Sequence, residues 1–290
     1  MHTRVLSLLP AATEIIHELG APELLVGISH LCRQPADREL PRVMRTSIDS
    51  DNWSMGQISR ALFRAMETGQ RLYELDEQRI AGLAPTLVLS QGLCPVCAAS
   101  PADIEGSAAA CARLLTLTPR SLGDIADNIR EVAAAIGRQQ QGEQLAARFL
   151  ARIEAVRQRN RHAKELRVAV LEWFDPLWIS GEWIAELIEC VGATPLILGP
   201  SDPSRRVEWS ELLAADPDAI LLGACSMDSE RTRRELPALE SRPEWQSLRA
   251  VREGRVFLLD GLRHTSTPGP GLVAGLERIE ELLSHARLPG

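Results

Sequence analysis

The chain has 290 residues, 45% of them apolar, which is enough to bury a large core in one domain or in two lobes. A net charge of −7, an aromatic content of 4% and the lack of any basic run exclude the charge footprint and stacking platforms of a nucleic-acid binder. No apolar segment reaches the roughly 18 residues that a membrane span needs, so a soluble globular protein is expected.

Arg4–Leu8 reads as an apolar first strand. The amino terminus has one positive charge and only a short apolar stretch before Pro10, with no small-residue cleavage site, so it is read as a strand and not as an export signal. The expected location is the cytoplasm as written, where six cysteines would stay reduced, or the periplasm if a leader had been removed. Pro10 then opens a helix with Ile15, Ile16 and Leu19 at helical spacing, stopped by Gly20. Val26–Ile28 is a second strand, Ser54–Glu67 a helix, Gln78–Leu83 a short helix and Thr86–Ser90 a third strand. Pro101 starts another helix, and Leu114–Leu117 closes this half with a short strand.

Between Ser121 and His162 the composition turns rich in Ala, Glu, Gln and Arg, with Ile125, Ile129, Val132, Ile136, Leu145, Phe149 and Ile153 on one apolar stripe. This predicts a long helix, with Gly137 or Gly142 as places where it could be interrupted. Strand and helix then alternate again: Val168–Glu172, a helix from Trp183 to Cys190, Leu196–Leu198, a helix over Trp209–Ala214, Ala219–Leu222, a segment Pro243–Leu248, Val256–Leu259 and a closing helix Leu272–Ala286. The expected fold is α/β, with two Rossmann-like lobes, 1–120 and 163–290, joined by a linker helix over 121–162 and a ligand cleft between them.

Four thiols stand just past apolar strands: Cys32 after Leu25–Ser29, Cys94 and Cys97 after Thr86–Ser90, and Cys225 after Ala219–Leu222. Ligands of open α/β sheets bind beyond the strand ends, so this placement aims all four at one cleft. Cys94-Pro95-Val96-Cys97 alone signals little. With Cys32 and Cys225 the set reaches the three or four thiolates that zinc or an iron–sulfur cluster takes. A redox dithiol and unrelated thiols are the competing readings. Cys111 and Cys190 fall inside helical patterns and are expected to pack.

Arg4–Pro10 with Ala12-Thr13-Glu14, Leu25-Val26-Gly27-Ile28-Ser29 and Pro35 resembles the first strand–helix–strand unit of the helix-linked class of substrate-binding proteins, in its cobalamin-binding and iron-chelate-binding branch. The ending, Gly254-Arg255-Val256, Leu259-Asp260-Gly261 and Pro268-Gly269-Pro270, is similar to that family's last strand and the loop into its final helix. The His-x-Cys and Cys-x-x-Cys elements bring the chain nearest to a subgroup without leaders. The resemblance implies a solute-binding protein of the ABC-transporter type, a corrinoid such as cobalamin or a metal chelate as ligand, and an ABC permease as partner, with Glu14 as a docking acid. In the other direction, the single tyrosine is few for a corrinoid cavity.

Trp173, Trp178 and Trp183 cluster with Glu172 beyond the strand Val168–Glu172. Indole faces suit a flat macrocycle, and a carboxylate suits amide side groups or a metal. The alternative is a lobe core with capping acids. Gln91 lies in the loop before Cys94. His30 and His264 follow strands and could ligate a metal or the cobalt of a corrinoid, or simply be capped loop residues. There is no Gly-x-Ser-x-Gly elbow, no Walker loop and no Gly-rich dinucleotide turn, so a binding protein is favoured over an enzyme. The alternative function is a cytoplasmic metalloprotein or enzyme with an iron–sulfur cluster or zinc on Cys32, Cys94, Cys97 and Cys225.

Overall fold

A computed structural model describes residues 3–93 and 101–287. The chain divides into two compact units, one made of Met1–Asp49, Arg60–Pro119 and Gly123–Arg148, the other of Ser50–Ser59, Arg120–Leu122 and Phe149–Gly290.

In the first unit the strands are β1 (Val5–Ser7), β2 (Leu25–Ile28), β3 (Met44–Thr46), β4 (Tyr73–Leu75), β5 (Leu87–Gln91) and β6 (Arg113–Leu117). Four form a parallel sheet in the order β2-β1-β5-β6, with Val5 opposite both Leu25 and Leu87. Parallel strands require crossovers, and helices Pro10–Glu18 and Glu77–Leu83 provide apolar faces for them. Leu6, Leu8, Val43, Met44, Tyr73, Ile80, Val88 and Ile104 form the buried core here. β3 and β4 pair antiparallel and were not anticipated, because three residues each with exposed Arg45 and Glu74 give no recognisable apolar run.

The stretch Ser121–His162 is two helices, Leu122–Ala135 and Gln139–Asn160. The break is at Gly137, whose φ of +74° is left-handed, a region glycine enters without strain. Gly142 has the opposite duty. It lies within the second helix, where a Cβ would come 2.3 Å from Ala133 Cβ, so its bare backbone lets the two helices close on each other.

In the second unit the strands are β7 (Arg167–Phe174), β8 (Leu177–Ile179), β9 (Thr194–Pro195), β10 (Arg205–Arg206), β11 (Ala219–Leu222) and β12 (Val256–Leu258). They form one sheet in the order β10-β8-β7-β11-β12, with β9 also on β7. β7, β11 and β12 are parallel, whereas β8 folds back antiparallel on β7 and carries β10. Helix Leu272–Ala286 buries Leu272, Val273, Leu276, Ile279, Leu282 and Leu283 at helical spacing. The strand expected at Leu196–Leu198 lies two residues earlier, since Ile197 turns left-handed at φ +74° and leaves the ladder. Pro243–Ser247 is a helical turn.

Candidate functional site

In the first unit the ends of β1 and β2 meet the start of helix Pro10–Glu18 around a buried hydroxyl network. Thr13 Oγ1 donates to Ser7 Oγ at 2.8 Å and lies 3.0 Å from Cys32 Sγ; Ser29 Oγ lies 3.1 Å from the same sulfur. Cys32 is 1% exposed, and burial, against hydrogen bonds from Ser29 and Thr13, pushes its thiol above the ordinary range. A protonated, enclosed thiol among hydroxyls satisfies buried polar groups. It carries its proton near neutral pH.

His30, two residues earlier, is half-buried with its ring 5.9 Å from that of Tyr73. Its Nδ1 is buried and has no hydrogen-bond partner among the described residues. Burial, then Arg42, lowers its pKa, so the ring is neutral near pH 7. Gln91 ends β5 as a buried residue whose Oε1 accepts from Leu93 N at 2.7 Å. Cys94 and Cys97 lie outside the described residues. Cys111 ends a short 3-10 turn and is exposed, so it does not pack as expected. Cys190 is buried, and Arg157 Nη2 donates to its sulfur at 3.3 Å.

The second unit gathers more. Leu171 pairs with Ile179 and Trp173 with Trp178, so the register slips at Glu172. That residue is the extra one of a β-bulge, a device that re-aims a side chain at a strand end. Glu172 Oε2 accepts from Ser180 Oγ at 2.9 Å and from Ser204 Oγ at 3.1 Å, and its backbone oxygen accepts from Cys225 N at 2.9 Å. Burial, then the nearby Cys225, pushes the carboxyl up to about 8. It is a neutral acid at pH 7, able both to donate and to accept.

Around it the backbone is unusual. Glu182 (φ +54°) and Ser226 (φ +59°) are left-handed non-glycine residues, the kind of local strain that collects at binding sites. Glu182 N donates to Asp202 O at 2.9 Å, and a Cβ on Gly181 would stand 2.0 Å from that same oxygen, so this position requires glycine. Arg120 Nη1 pairs with Glu182 Oε1 at 2.9 Å. Burial nevertheless holds the Glu182 carboxyl above its ordinary value, with Arg120 opposing.

The three tryptophans are held differently. Trp183 is buried and its Nε1 donates to Thr265 O at 2.9 Å. Trp173 is partly exposed, with Nε1 donating to Ser59 Oγ at 2.8 Å. Trp178, also partly exposed, stands opposite Trp173 on one side and Arg206 on the other. His264 closes the turn Gly261–His264, where its Nδ1 accepts from Asp260 N at 3.3 Å. Burial, opposed by Asp260, lowers its pKa. Cys225 follows β11 and is partly exposed.

The described residues contain no group of three or more His, Cys, Asp and Glu side chains arranged as a metal ion requires. A cavity of about 560 Å³ does exist in the second unit, lined by Arg157, Asn160, Glu165, Glu189, Gly192 and others. It sits where β7 and β9 begin, away from the strand ends that bind ligands in such sheets. Two of its polar side chains are engaged within the protein: Arg157 with Glu154 and Cys190, Asn160 with Glu280 and Val156 O.

The model of the family described as periplasmic binding protein matches residues 5–261. The chain belongs to that family. No curated protein matches it significantly. Among solved structures it is similar to an ABC transporter substrate-binding protein from Listeria monocytogenes (20% identity, 97% of this chain and 98% of that one, TM-score 0.72). It is similar also to the periplasmic vitamin B12 binding protein BtuF of Vibrio cholerae (19%, 99% and 98%, 0.68). A third is the periplasmic heme-binding protein RhuT from Roseiflexus sp. (24%, 99% and 100%, 0.72). At these identities the likeness establishes the helix-linked α/β fold and leaves the ligand to the site.

In this member of the periplasmic binding protein family, Glu172 and Trp173 lie near the end of β7, Trp178 stands opposite Trp173 on β8, and Trp183 is buried in the helix Glu182–Cys190 that follows. Ser180, Ser204, Thr265, Arg120 and Ser59 were missed. The first two are serines in short polar loops, which are ordinary on any surface. Arg120 and Ser59 come from distant parts of the chain, and only tertiary structure brings them in.

Proposed function

We propose that this chain is the solute-binding component of an ABC-type uptake system and that its ligand is a corrinoid, cobalamin first, or a metal chelate. The observation that carries this reading is a bulged, neutral Glu172 near the end of β7, hydrogen-bonded to two serine hydroxyls, with the partly exposed indoles of Trp173 and Trp178 paired on β7 and β8 and Trp183 in the helix that follows. A flat macrocycle gains from indole faces, and a neutral carboxyl can both donate to and accept from amide side groups at little desolvation cost. His30 and His264, both kept neutral by burial, are the imidazoles suited to a ligand's metal. Family membership supports a binding role, and two proteins of similar structure are a vitamin B12 binding protein and a heme-binding protein. A permease is the expected partner of such a protein.

The test is a thermal-shift series with cyanocobalamin, haemin and a ferric chelate. Ligand that binds only the folded state at 100 times its Kd adds about 2.7 kcal/mol, and Trp173→Ala or Trp183→Ala should shrink the shift. No change in Tm with any of the three at saturating concentration would remove the reading.

A further inference from the structure

The second unit includes one short stretch, Ser50–Ser59, drawn from the first half of the sequence. A buried ion pair holds it there. Arg231 and Glu235 are 8% and 7% exposed and joined at 2.5 Å. Arg231 Nε donates to Ser50 O at 2.9 Å, its Nη2 donates to Trp53 O, and Glu235 Oε2 accepts from Met55 N at 3.1 Å, at the start of helix Met55–Thr68. One turn on, Met55 and Ser59 share a helix face. That face meets the end of β7: Phe174 N donates to Met55 Sδ at 3.3 Å, Trp173 Nε1 to Ser59 Oγ at 2.8 Å, and Ser59 Oγ in turn to Asp175 O at 2.9 Å. The serine is 7% exposed, so its hydroxyl is largely shielded from water.

We propose that Ser59 is a positioning residue of the ligand site: it fixes the Trp173 indole and the turn at Asp175 in the orientation a ligand meets, while Arg231 and Glu235 hold the segment that carries it. An indole on the rim of a strand end is otherwise able to turn about its side-chain bonds, and a ligand would have to order it on binding. A hydrogen bond from Nε1 to a buried hydroxyl removes that freedom beforehand. Trp173 Nε1 also reaches Asp175 O at 3.1 Å, so loss of the serine leaves the indole one longer hydrogen bond. The inference rests on the reading of Trp173 as a ligand-facing group only for its effect on binding, not for its effect on the indole.

The experiment uses the full chain labelled with ¹⁵N at its six tryptophan indoles, with the Trp173 signal assigned by its disappearance in Trp173→Phe. In the unmodified protein the Trp173 N–H should exchange with deuterium more slowly than that of Trp178; equal rates overturn the proposal without any variant. In Ser59→Ala the Trp173 signal should move and exchange faster, and Ser59→Thr, which keeps the hydroxyl, should restore both. Cyanocobalamin and haemin titrations should then show a loss of about fivefold to tenfold in affinity in Ser59→Ala, the worth of one hydrogen bond, and no such loss when the same change is made in Trp173→Phe. An unaltered Trp173 signal in Ser59→Ala overturns the positioning role. An altered signal with unaltered titrations shows that Ser59 holds the indole but overturns its role in the ligand site, and counts against Trp173 as a ligand contact.

Discussion

Replacing Glu172 by Gln isolates the most unusual titrating group of the site. Burial, with Cys225 next, raises its carboxyl from the ordinary 4.5 to about 8. A raised folded-state value means that the folded protein holds the proton where the unfolded chain has released it. Stability from this group is therefore fully present below pH 4.5 and is lost as pH rises to about 8. At about 1.4 kcal/mol per pH unit, that interval amounts to about 5 kcal/mol. Glutamine keeps an oxygen to accept from Ser180 and Ser204 but cannot ionise. Urea denaturation of both proteins from pH 4.5 to 9 should give a stability difference that starts near zero, grows in favour of Glu172→Gln through pH 8, and then levels. Groups common to both proteins cancel in that difference. Parallel pH profiles would refute the account of Glu172 as a neutral acid.

Removing one partner of the Arg231–Glu235 pair, as in Glu235→Ala, should cost about 3–5 kcal/mol by leaving the other charge buried alone; equilibrium denaturation measures it, and a loss below 1 kcal/mol would show the pair to be solvated. Gly275→Ala should destabilise by about 1–3 kcal/mol, because its Cβ would stand 2.2 Å from His264 O; an unchanged Tm would mean that the turn Gly261–His264 yields freely. Iodoacetamide should label Cys111 in the native protein far sooner than Cys32 or Cys190, which are buried with raised thiol pKa values; peptide mass mapping reads the order, and prompt labelling of Cys32 would contradict its enclosure.

The parallel strands were legible because they are runs of Val, Ile and Leu between turn residues, whereas β8 and β10, three and two residues long and antiparallel, were not. Helix Leu272–Ala286 matches the structure at both ends because its apolar stripe has no competing period. The break of Ser121–His162 was legible as a pair of glycines, but choosing between them needed a contact: Gly142 is spoken for by Ala133. The bulge at Glu172 could not be read, since a bulge is a property of pairing, set by which residue of β8 faces Trp173. Cys32 shows the limit of strand-end logic. Its position beyond β2 was correctly placed, yet the direction of its sulfur, toward Thr13 and Ser29, depends on a helix that the local sequence does not contain. Ser59 lies 114 positions from the indole it touches, and no local signal marks it.

The central claim is that the strand ends of the second unit hold a flat, metal-bearing ligand, and the most direct measurement is a titration of the protein with cyanocobalamin and with haemin, followed by tryptophan emission. The account predicts saturable quenching by at least one of them, reduced in Trp173→Phe and in Trp183→Phe, where indoles of the site are lost. Quenching that stays linear in both ligands, or saturable quenching untouched by either substitution, would contradict it.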